Sequence, residues 1–141
     1  MQVNIPEVVA ELVGCFESYE RALVSNDIEA VNAMFWDSSC TVRYGTRENE
    51  IHCGHSAISA FRRARGPVDQ RRTLRGTHIT TFGRDFGVAV TEYLPANSGR
   101  VSRQSQTWAR LSGQWNRKRS CILWRVTEWE ECDGGARWAR D

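Results

Sequence analysis

The hydrophobic periodicity of this chain differs between its two halves, and that difference limits the folds open to it. Up to about residue 65, apart from a short strand-like run at residues 40–44, apolar residues recur every three to four positions, which is the spacing of amphipathic helices. From about residue 74 onward they alternate with polar residues between turn-forming glycines, which is typical of an antiparallel β-meander. Helices first and strands afterwards predict an α+β domain with helices packed on one face of a curved antiparallel sheet.

Three helices are predicted in the first half of the chain. Asn4-Ile5-Pro6-Glu7 has the pattern of a capping box with proline in the first turn, and the apolar stripe that follows predicts a long helix to about Ser25. A second box, Asn26-Asp27-Ile28-Glu29, opens a short helix. The third helix begins at Gly54-His55-Ser56 and is stopped by Arg65-Gly66-Pro67.

The strands are predicted from short runs of alternating polarity that polar or glycine-containing turns separate. A single domain over residues 4–129 accommodates all of them, and residues 130–141 are expected to form a flexible tail. The predicted strands cover residues 40–44, 74–82, 87–94, 101–111 and 121–129.

Composition places the chain among ordinary globular domains. Its 141 residues are the size of one domain, hydrophobic residues make up 40%, and the net charge is only +2. Extensive disorder and nucleic-acid binding are therefore disfavoured. No stretch approaches the roughly 20 apolar residues of a membrane helix, and the first residues lack the pattern of a signal peptide. We expect a cytoplasmic protein with no nucleic-acid or membrane partner.

Neither the cysteines nor the histidines form a metal motif. The five cysteines are odd in number and include no CxxC pair, so we expect reduced thiols that act as small buried apolar residues. His52, His55 and His78 fit no ligand spacing, and the chain has no phosphate-binding loop or nucleophile elbow. The sequence therefore predicts neither a metal nor an organic cofactor.

Tyr19 and Arg43 are the first candidates for a chemical role. Tyr19 lies on the apolar stripe of the first helix, between Phe16 and Leu23, where its hydroxyl needs a partner. The alternative is a core tyrosine bonded to a backbone carbonyl. If the helices cover Arg43, its charge needs an anion, and a ligand carboxylate would serve because the first helix offers few acids apart from Glu20. The alternative is an outward arginine on a solvated face.

Residues 103–108 form an unusually polar strand. Gln104 and Gln106 share one face with Trp108, because side chains alternate along a strand. Such a row of amides can line a pocket and bind a substrate through hydrogen-bond donors and acceptors. The alternative is a half-exposed strand that binds no ligand.

Several longer motifs run through most of the chain. They are Asn4-x-Pro6-Glu7, Tyr19-Glu20-x-Ala22-Leu23, Phe35-Trp36, Thr41-Val42-Arg43-Tyr44-Gly45, the run from Ile79 to Asp85, and the run from Gly99 to Trp108. Over residues 4–115 these motifs resemble the AtzH-like family. Its members include an accessory protein of oxalurate catabolism and the 1,3-dicarboxyurea decarboxylating amidohydrolase of cyanuric acid breakdown.

The resemblance implies a nuclear-transport-factor-2-like (SnoaL-like) cone and a homodimer formed through the outer face of the sheet. It also implies that Tyr19 and Arg43 are the catalytic pair, since both match the family motifs by position. One stretch departs from the family pattern. Where the family continues with a hydrophobic strand, this chain reads Asn116-Arg117-Lys118-Arg119-Ser120, so one wall of the implied pocket differs.

The resemblance favours a cofactor-independent hydrolase that decarboxylates a small anionic ureide, such as 1,3-dicarboxyurea, to allophanate in nitrogen catabolism. In this hypothesis Arg43 binds a carboxylate and Tyr19 supplies a proton to the departing nitrogen. Gln104 and Gln106 bind the urea oxygen and N–H groups. Three alternatives stay open: a non-enzymatic ureide-binding protein for a partner amidase, a structural partner of a larger amidohydrolase complex, and a proton shuttle of the ketosteroid isomerase type.

Overall fold

Three helices form, as the periodicity predicts, and two of them precede all the strands. The structure is a computed structural model that describes residues 1–45, 49–111 and, for the backbone alone, 120–127. Within these ranges the helices are α1 (Pro6–Val24), α2 (Ile28–Ala33) and α3 (His55–Arg65). The predicted flexible tail lies outside the described residues.

The N-terminal ends of the first two helices differ from the predicted capping boxes. Ile5 precedes α1 and gives no side-chain cap, whereas Asn4 has a φ of 55° and accepts a hydrogen bond from the backbone N–H of Thr81 at 3.0 Å. Asp27, not Asn26, caps α2 through its carboxylate. Asn26 has a φ of 56° and bonds the loop after α3. Both asparagines therefore anchor tertiary contacts from a left-handed backbone conformation that asparagine tolerates better than most residues.

Six strands form two antiparallel sheets. The smaller sheet is the hairpin of β1 (Val42–Tyr44) and β2 (Ile51–Cys53), and β2 was not predicted from the sequence. The larger sheet has the order β3-β4-β5-β6, as a meander requires. Its strands are β3 (Arg72–Phe82), β4 (Phe86–Pro95), β5 (Ser102–Arg110) and β6 (Ser120–Thr127). The predicted α+β arrangement is therefore confirmed, with strand ends that shift by one or two residues.

The register of the larger sheet places small and polar residues opposite each other on the inner face. Ala89 of β4 pairs with Gln106 of β5, and Thr91 pairs with Gln104. The pairing of β3 with β4 is irregular between Leu74 and Gly76, and that of β5 with β6 is irregular after Gln106. Such irregularities bend a strand and raise its local twist, which curves the sheet around its inner face.

The hydrophobic core lies between α1 and the inner face of the sheet. Leu12, Phe16 and Tyr19 of α1 belong to one buried cluster with Ala89 and Trp108 of the sheet. Val31 of α2, Phe35 just after that helix, and Ile58 of α3 extend the cluster. The apolar stripe of the first helix thus packs on the strands, as its spacing predicts.

The cysteines correct one expectation. Of the three cysteines whose side chains the structure describes, Cys40 and Cys53 are exposed free thiols, and Cys15, with a pKa raised mainly by burial, is partly buried. Cysteine spacing alone did not indicate this, because both exposed thiols flank the small hairpin that the sequence predicted only in part. Among the described residues, the helices are too short or too polar to cross a membrane.

Gly87 marks a close approach of α1 to the sheet. A Cβ atom at this position would overlap the Leu12 side chain and lie 3.2 Å from the carbonyl oxygen of Thr80. We expect Gly87→Ala to lower the free energy of unfolding by about 1–3 kcal/mol, because the core must shift to admit the methyl group. Urea denaturation at a fixed protein concentration measures the change.

Gly76→Ala is the matched control for that substitution. Gly76 lies on the neighbouring strand β3, and a Cβ atom there meets no other atom within 4 Å. This variant should keep the stability of the unmodified protein. Equal losses in the two variants would contradict the packing argument, since both replace a strand glycine with alanine.

Candidate functional site

Tyr19 is buried on the face of α1 that packs against the sheet. Its side chain is 0% exposed, and its hydroxyl finds no hydrogen-bond partner among the described residues. The alternative of a core tyrosine bonded to a backbone carbonyl is therefore not what the structure contains. A buried hydroxyl without a partner costs about 1–3 kcal/mol, which a protein tolerates where a ligand or water satisfies the group.

Arg43 is buried as well, on strand β1. Its side chain lies opposite His52 of β2, and its guanidinium carbon is 5.1 Å from the centre of the Phe61 ring. The alternative of an outward arginine is wrong, because only 4% of Arg43 is exposed. A carboxylate of the chain does lie nearby: Glu50 Oε2 is 3.7 Å from Arg43 Nη2. That distance exceeds a hydrogen bond but still compensates charge.

His52 shares the surroundings of Arg43. Its ring stacks on Phe61 with centroids 4.2 Å apart. Burial lowers the pKa of His52, and the positive charge of Arg43 lowers it further. The neutral imidazole is therefore favoured beside the guanidinium, which avoids a second positive charge on the hairpin.

Gln104 and Gln106 occupy the inner face of β5. They are 1% and 0% exposed, so the alternative of a half-exposed strand is wrong. The carbonyl oxygen of Gln106 accepts a hydrogen bond from the indole N–H of Trp108 at 3.0 Å. The amide nitrogens of both glutamines lack a hydrogen-bond partner among the described residues. The Tyr19 hydroxyl and these two amide nitrogens are therefore among the buried polar groups that lack a partner in the described part of the chain.

A buried ion pair adjoins this layer and was not predicted from the sequence. Arg72 Nε and Nη2 donate to the Glu20 carboxylate at 2.9 and 2.5 Å. The guanidinium also lies 4.3 Å from the centre of the Tyr93 ring and donates to Gln104 Oε1 at 3.2 Å. Glu20 therefore neutralises the charge of Arg72. The carboxylate near Arg43 is that of Glu50, which belongs to the same hairpin as Arg43.

One signal in the sequence could have indicated Glu20. It lies four residues after Phe16 and three before Leu23, on the apolar stripe of the helix, where a carboxylate needs a cationic partner. Arg72 gave no comparable signal. The irregularity between Leu74 and Gly76 breaks the simple alternation from which the orientation of a strand residue is predicted.

An open cleft of about 730 Å³ reaches the ion pair. It runs along the C-terminal end of α1 and the beginning of β3, and its lining residues are Glu20, Arg21, Ala22, Val24, Ser25, Asp27, Arg72 and Leu74. In the described part of the chain, no group of three or more His, Cys, Asp or Glu side chains is arranged to hold a metal ion.

The structure brings some of the predicted site residues together. Tyr19 packs in the same core as Trp108, the neighbour of Gln106 on the inner face of β5. Arg43 lies on the separate hairpin, whose strand β1 contacts β6. The pairing of Arg43 with Tyr19 stays a prediction.

A comparison with models of protein families shows the family to which this chain belongs. The model of the AtzH-like family matches residues 1–120. The chain belongs to the AtzH-like family. The match covers every element from α1 to β5, including the strands that carry Arg43 and the two glutamines. No curated protein matches the chain.

Solved structures place this AtzH-like chain in a wider fold. A cystatin-like fold protein from Burkholderia xenovorans is 44% identical, with a TM-score of 0.80 over 90% of this chain and 95% of that one. A protein of unknown function from Pectobacterium atrosepticum is 37% identical, with a TM-score of 0.79 over 89% and 92%. A nuclear-transport-factor-2-like protein from Salmonella enterica is 18% identical, with a TM-score of 0.66 over 94% and 98%. The predicted family and the predicted cone fold are thus confirmed.

The ion pair of Glu20 and Arg72 gives a testable consequence. We expect Glu20→Gln to lower the free energy of unfolding by about 3–5 kcal/mol, because it leaves the buried guanidinium of Arg72 without its counter-charge. Chemical denaturation followed by circular dichroism measures the loss. The matched control is Glu29→Gln, which removes the same charge from the exposed bidentate pair with Arg63.

The control variant should unfold at the same denaturant concentration as the unmodified protein, because solvent screens an exposed pair. If both substitutions destabilise equally, burial does not set the strength of the Glu20–Arg72 pair.

Proposed function

We propose that this AtzH-like protein is a cofactor-independent decarboxylating amidohydrolase. Its substrate is a small anionic N-carboxyurea, such as 1,3-dicarboxyurea, and its product is allophanate. Family membership supports the reaction class. The observation that carries the proposal is the buried Tyr19 hydroxyl, which has no hydrogen-bond partner among the described residues. A general acid that donates its proton to the substrate is expected to be buried and to lack a hydrogen-bond partner in the protein.

The reaction requires the transfer of one proton to the departing urea nitrogen. The bond between a urea nitrogen and its carboxylate carbon breaks, the electron pair passes to nitrogen, and the carboxylate leaves as CO2. The nitrogen gains a proton, so 1,3-dicarboxyurea dianion plus one proton gives CO2 and allophanate. In the proposal Tyr19 supplies that proton and regains one from solvent. General acid catalysis of this kind contributes about 10²–10⁴-fold to a rate.

In this proposal Arg43 binds a substrate carboxylate. A guanidinium and a carboxylate form two parallel hydrogen bonds, and burial strengthens them. Glu50 Oε2 lies 3.7 Å from Arg43 Nη2, so the guanidinium has a compensating charge within its own hairpin. Gln104 and Gln106 supply further polar contacts from the sheet.

The alternative functions require different buried groups in the protein. A proton shuttle of the ketosteroid isomerase type needs a carboxylate that is available as a base. Among the described residues Glu20 is the one buried carboxylate, and Arg72 occupies both of its oxygens. A ureide-binding accessory protein, or a structural partner of an amidase, would bind without turnover and would not need the Tyr19 proton.

We also propose that the protein acts in the cytosol as a homodimer. Exposed free thiols at Cys40 and Cys53 fit a reducing compartment. The outer face of β4 presents Phe86, Val88 and Val90 at alternate positions, and 42% of Val90 is exposed. An apolar strip on an outer sheet face is a typical dimer seam.

Val90→Glu tests the homodimer. We expect analytical ultracentrifugation to show a dimer for the unmodified protein and a monomer at the same concentration for the variant, because a charge would be buried at the seam. Val101→Glu, at an exposed valine before β5, is the control and should stay dimeric. A monomeric unmodified protein would exclude the seam.

Tyr19→Phe tests the enzymatic proposal. It removes one oxygen atom that makes no hydrogen bond to the described residues, so the fold should persist while turnover falls by about 10²–10⁴-fold. The assay follows CO2 and allophanate released from freshly prepared 1,3-dicarboxyurea, above the spontaneous rate. Arg43→Lys should chiefly raise KM, because it keeps the charge but loses the two-pronged contact.

Tyr44→Phe is the matched control, since Tyr44 is an exposed tyrosine beside Arg43. It should keep the unmodified rate. If the unmodified protein binds the ureide but does not accelerate its decarboxylation, the accessory role is correct. Full activity in Tyr19→Phe would reject the proposed proton donor.

A further inference from the structure

The two inner-face glutamines have amide groups whose orientation is fixed by their neighbours. Arg72 donates to the Oε1 atom of Gln104, and Trp108 donates to the Oε1 atom of Gln106. A guanidinium and an indole N–H can only donate hydrogen bonds. Each amide must therefore turn its oxygen toward that neighbour and its NH2 group away from it, so the usual ambiguity of amide orientation does not arise here.

This orientation leaves two buried donors of the same kind. The Nε2 atoms of Gln104 and Gln106 are shielded from solvent and bond no described residue. Buried NH2 groups are nearly always satisfied in folded proteins. The two residues are two positions apart on one face of β5, so their Cα atoms lie about 7 Å apart. One small molecule can therefore span both.

The residues opposite these donors on β4 do not compete with a ligand for them. The residue opposite Gln106 is Ala89, whose side chain is a single methyl group, and the residue opposite Gln104 is Thr91. The Thr91 hydroxyl is already occupied by Thr77 and by the carbonyl of Gly76. The side chains opposite the two glutamines on strand β4 therefore offer neither amide a hydrogen-bond acceptor.

We propose that Gln104 and Gln106 form a donor pair that binds two acceptor oxygens of one ligand, a carbonyl oxygen and a neighbouring carboxylate oxygen. The inference rests on the proposed function and narrows it. At these positions the site selects oxygen atoms and rejects N–H groups. The sequence-based hypothesis that the glutamines also bind the N–H groups of the ureide is replaced by a purely donating role.

In this proposal the ion pair of Glu20 and Arg72 also orients one of the two donor amides. It holds the guanidinium that orients the amide of Gln104, while Trp108 does the same for Gln106. Carbonyl oxygens that accept from strong donors polarise their own amide, which makes the NH2 group a better donor.

Two dicarboxylates that lack the N–carboxyl bond test the donor pair. 3-Oxoglutarate has the skeleton of 1,3-dicarboxyurea with CH2 in place of NH, and glutarate is the same molecule without the central carbonyl oxygen. We expect the unmodified protein to bind 3-oxoglutarate about 10-fold or more tightly than glutarate, as one hydrogen bond to a buried donor implies. Isothermal titration calorimetry in the cold measures both affinities.

Gln104→Met and Gln106→Met remove the donors without adding a charge. The readout is the ratio of the two affinities, because a general disturbance of the site lowers both affinities together and leaves the ratio unchanged. We expect at least one variant to bring the ratio close to one. Gln2→Met, at an exposed glutamine, is the control and should keep the ratio. Circular dichroism verifies that each variant is folded.

The outcomes separate this inference from the proposed function. The donor pair is rejected if the unmodified protein binds neither probe, if it binds both equally, or if both methionine variants keep the ratio. A protein that keeps the ratio but does not turn over 1,3-dicarboxyurea retains the donor pair and loses the enzymatic proposal. Turnover without selectivity for 3-oxoglutarate rejects the donor pair alone.

Discussion

The interior of this protein depends on the ion pair between Glu20 and Arg72. The pair joins the helix that carries Tyr19 to the first residue of β3, and the same guanidinium contacts Tyr93 and Gln104. Burying two charges is expensive and succeeds only when their geometry is good and their other hydrogen-bonding groups are satisfied. Arg72 has good geometry toward Glu20 and a further hydrogen bond to Gln104. Sliding α1 along the sheet would separate two largely buried charges, so the pair sets the position of the helix over the inner face.

Much of this fold follows from local sequence patterns, and its exceptions have physical causes. The third helix was predicted within a residue, because glycine and proline punctuate it clearly. The capping roles of Asn4 and Asn26 were wrong because both asparagines bond distant backbone N–H groups, which no local pattern reveals. Strand β2 escaped prediction because Ile51–Cys53 lies between a polar turn and the beginning of α3, where the sequence predicts a loop.

The candidate site could be predicted where it depends on the alternation of side chains along a strand. Strand parity placed Gln104 and Gln106 on one face, and the structure confirms that this face is buried. The orientation of the Gln104 amide could not be predicted from the sequence, since it depends on Arg72 of β3, which reaches Gln104 of β5 across strand β4 and beside a register irregularity. The roles of Tyr19 and Arg43 came from the family resemblance, because burial alone does not distinguish a catalytic group from a structural one.

The polarity of the interior bears on the kind of chemistry it supports. Its unsatisfied groups include a phenol and two amide NH2 groups, all of which can donate a hydrogen bond, while its buried carboxylate, Glu20, is already neutralised by Arg72. Abstracting a proton requires an available base, and Glu20 is not available because Arg72 binds both of its oxygens. Breaking a C–N bond pushes negative charge onto nitrogen and onto the adjacent carbonyl oxygen, and fixed donors stabilise charge that develops in this way. Donors such as Tyr19 and the two glutamines therefore suit a reaction in which the substrate provides the electrons and the protein provides the proton.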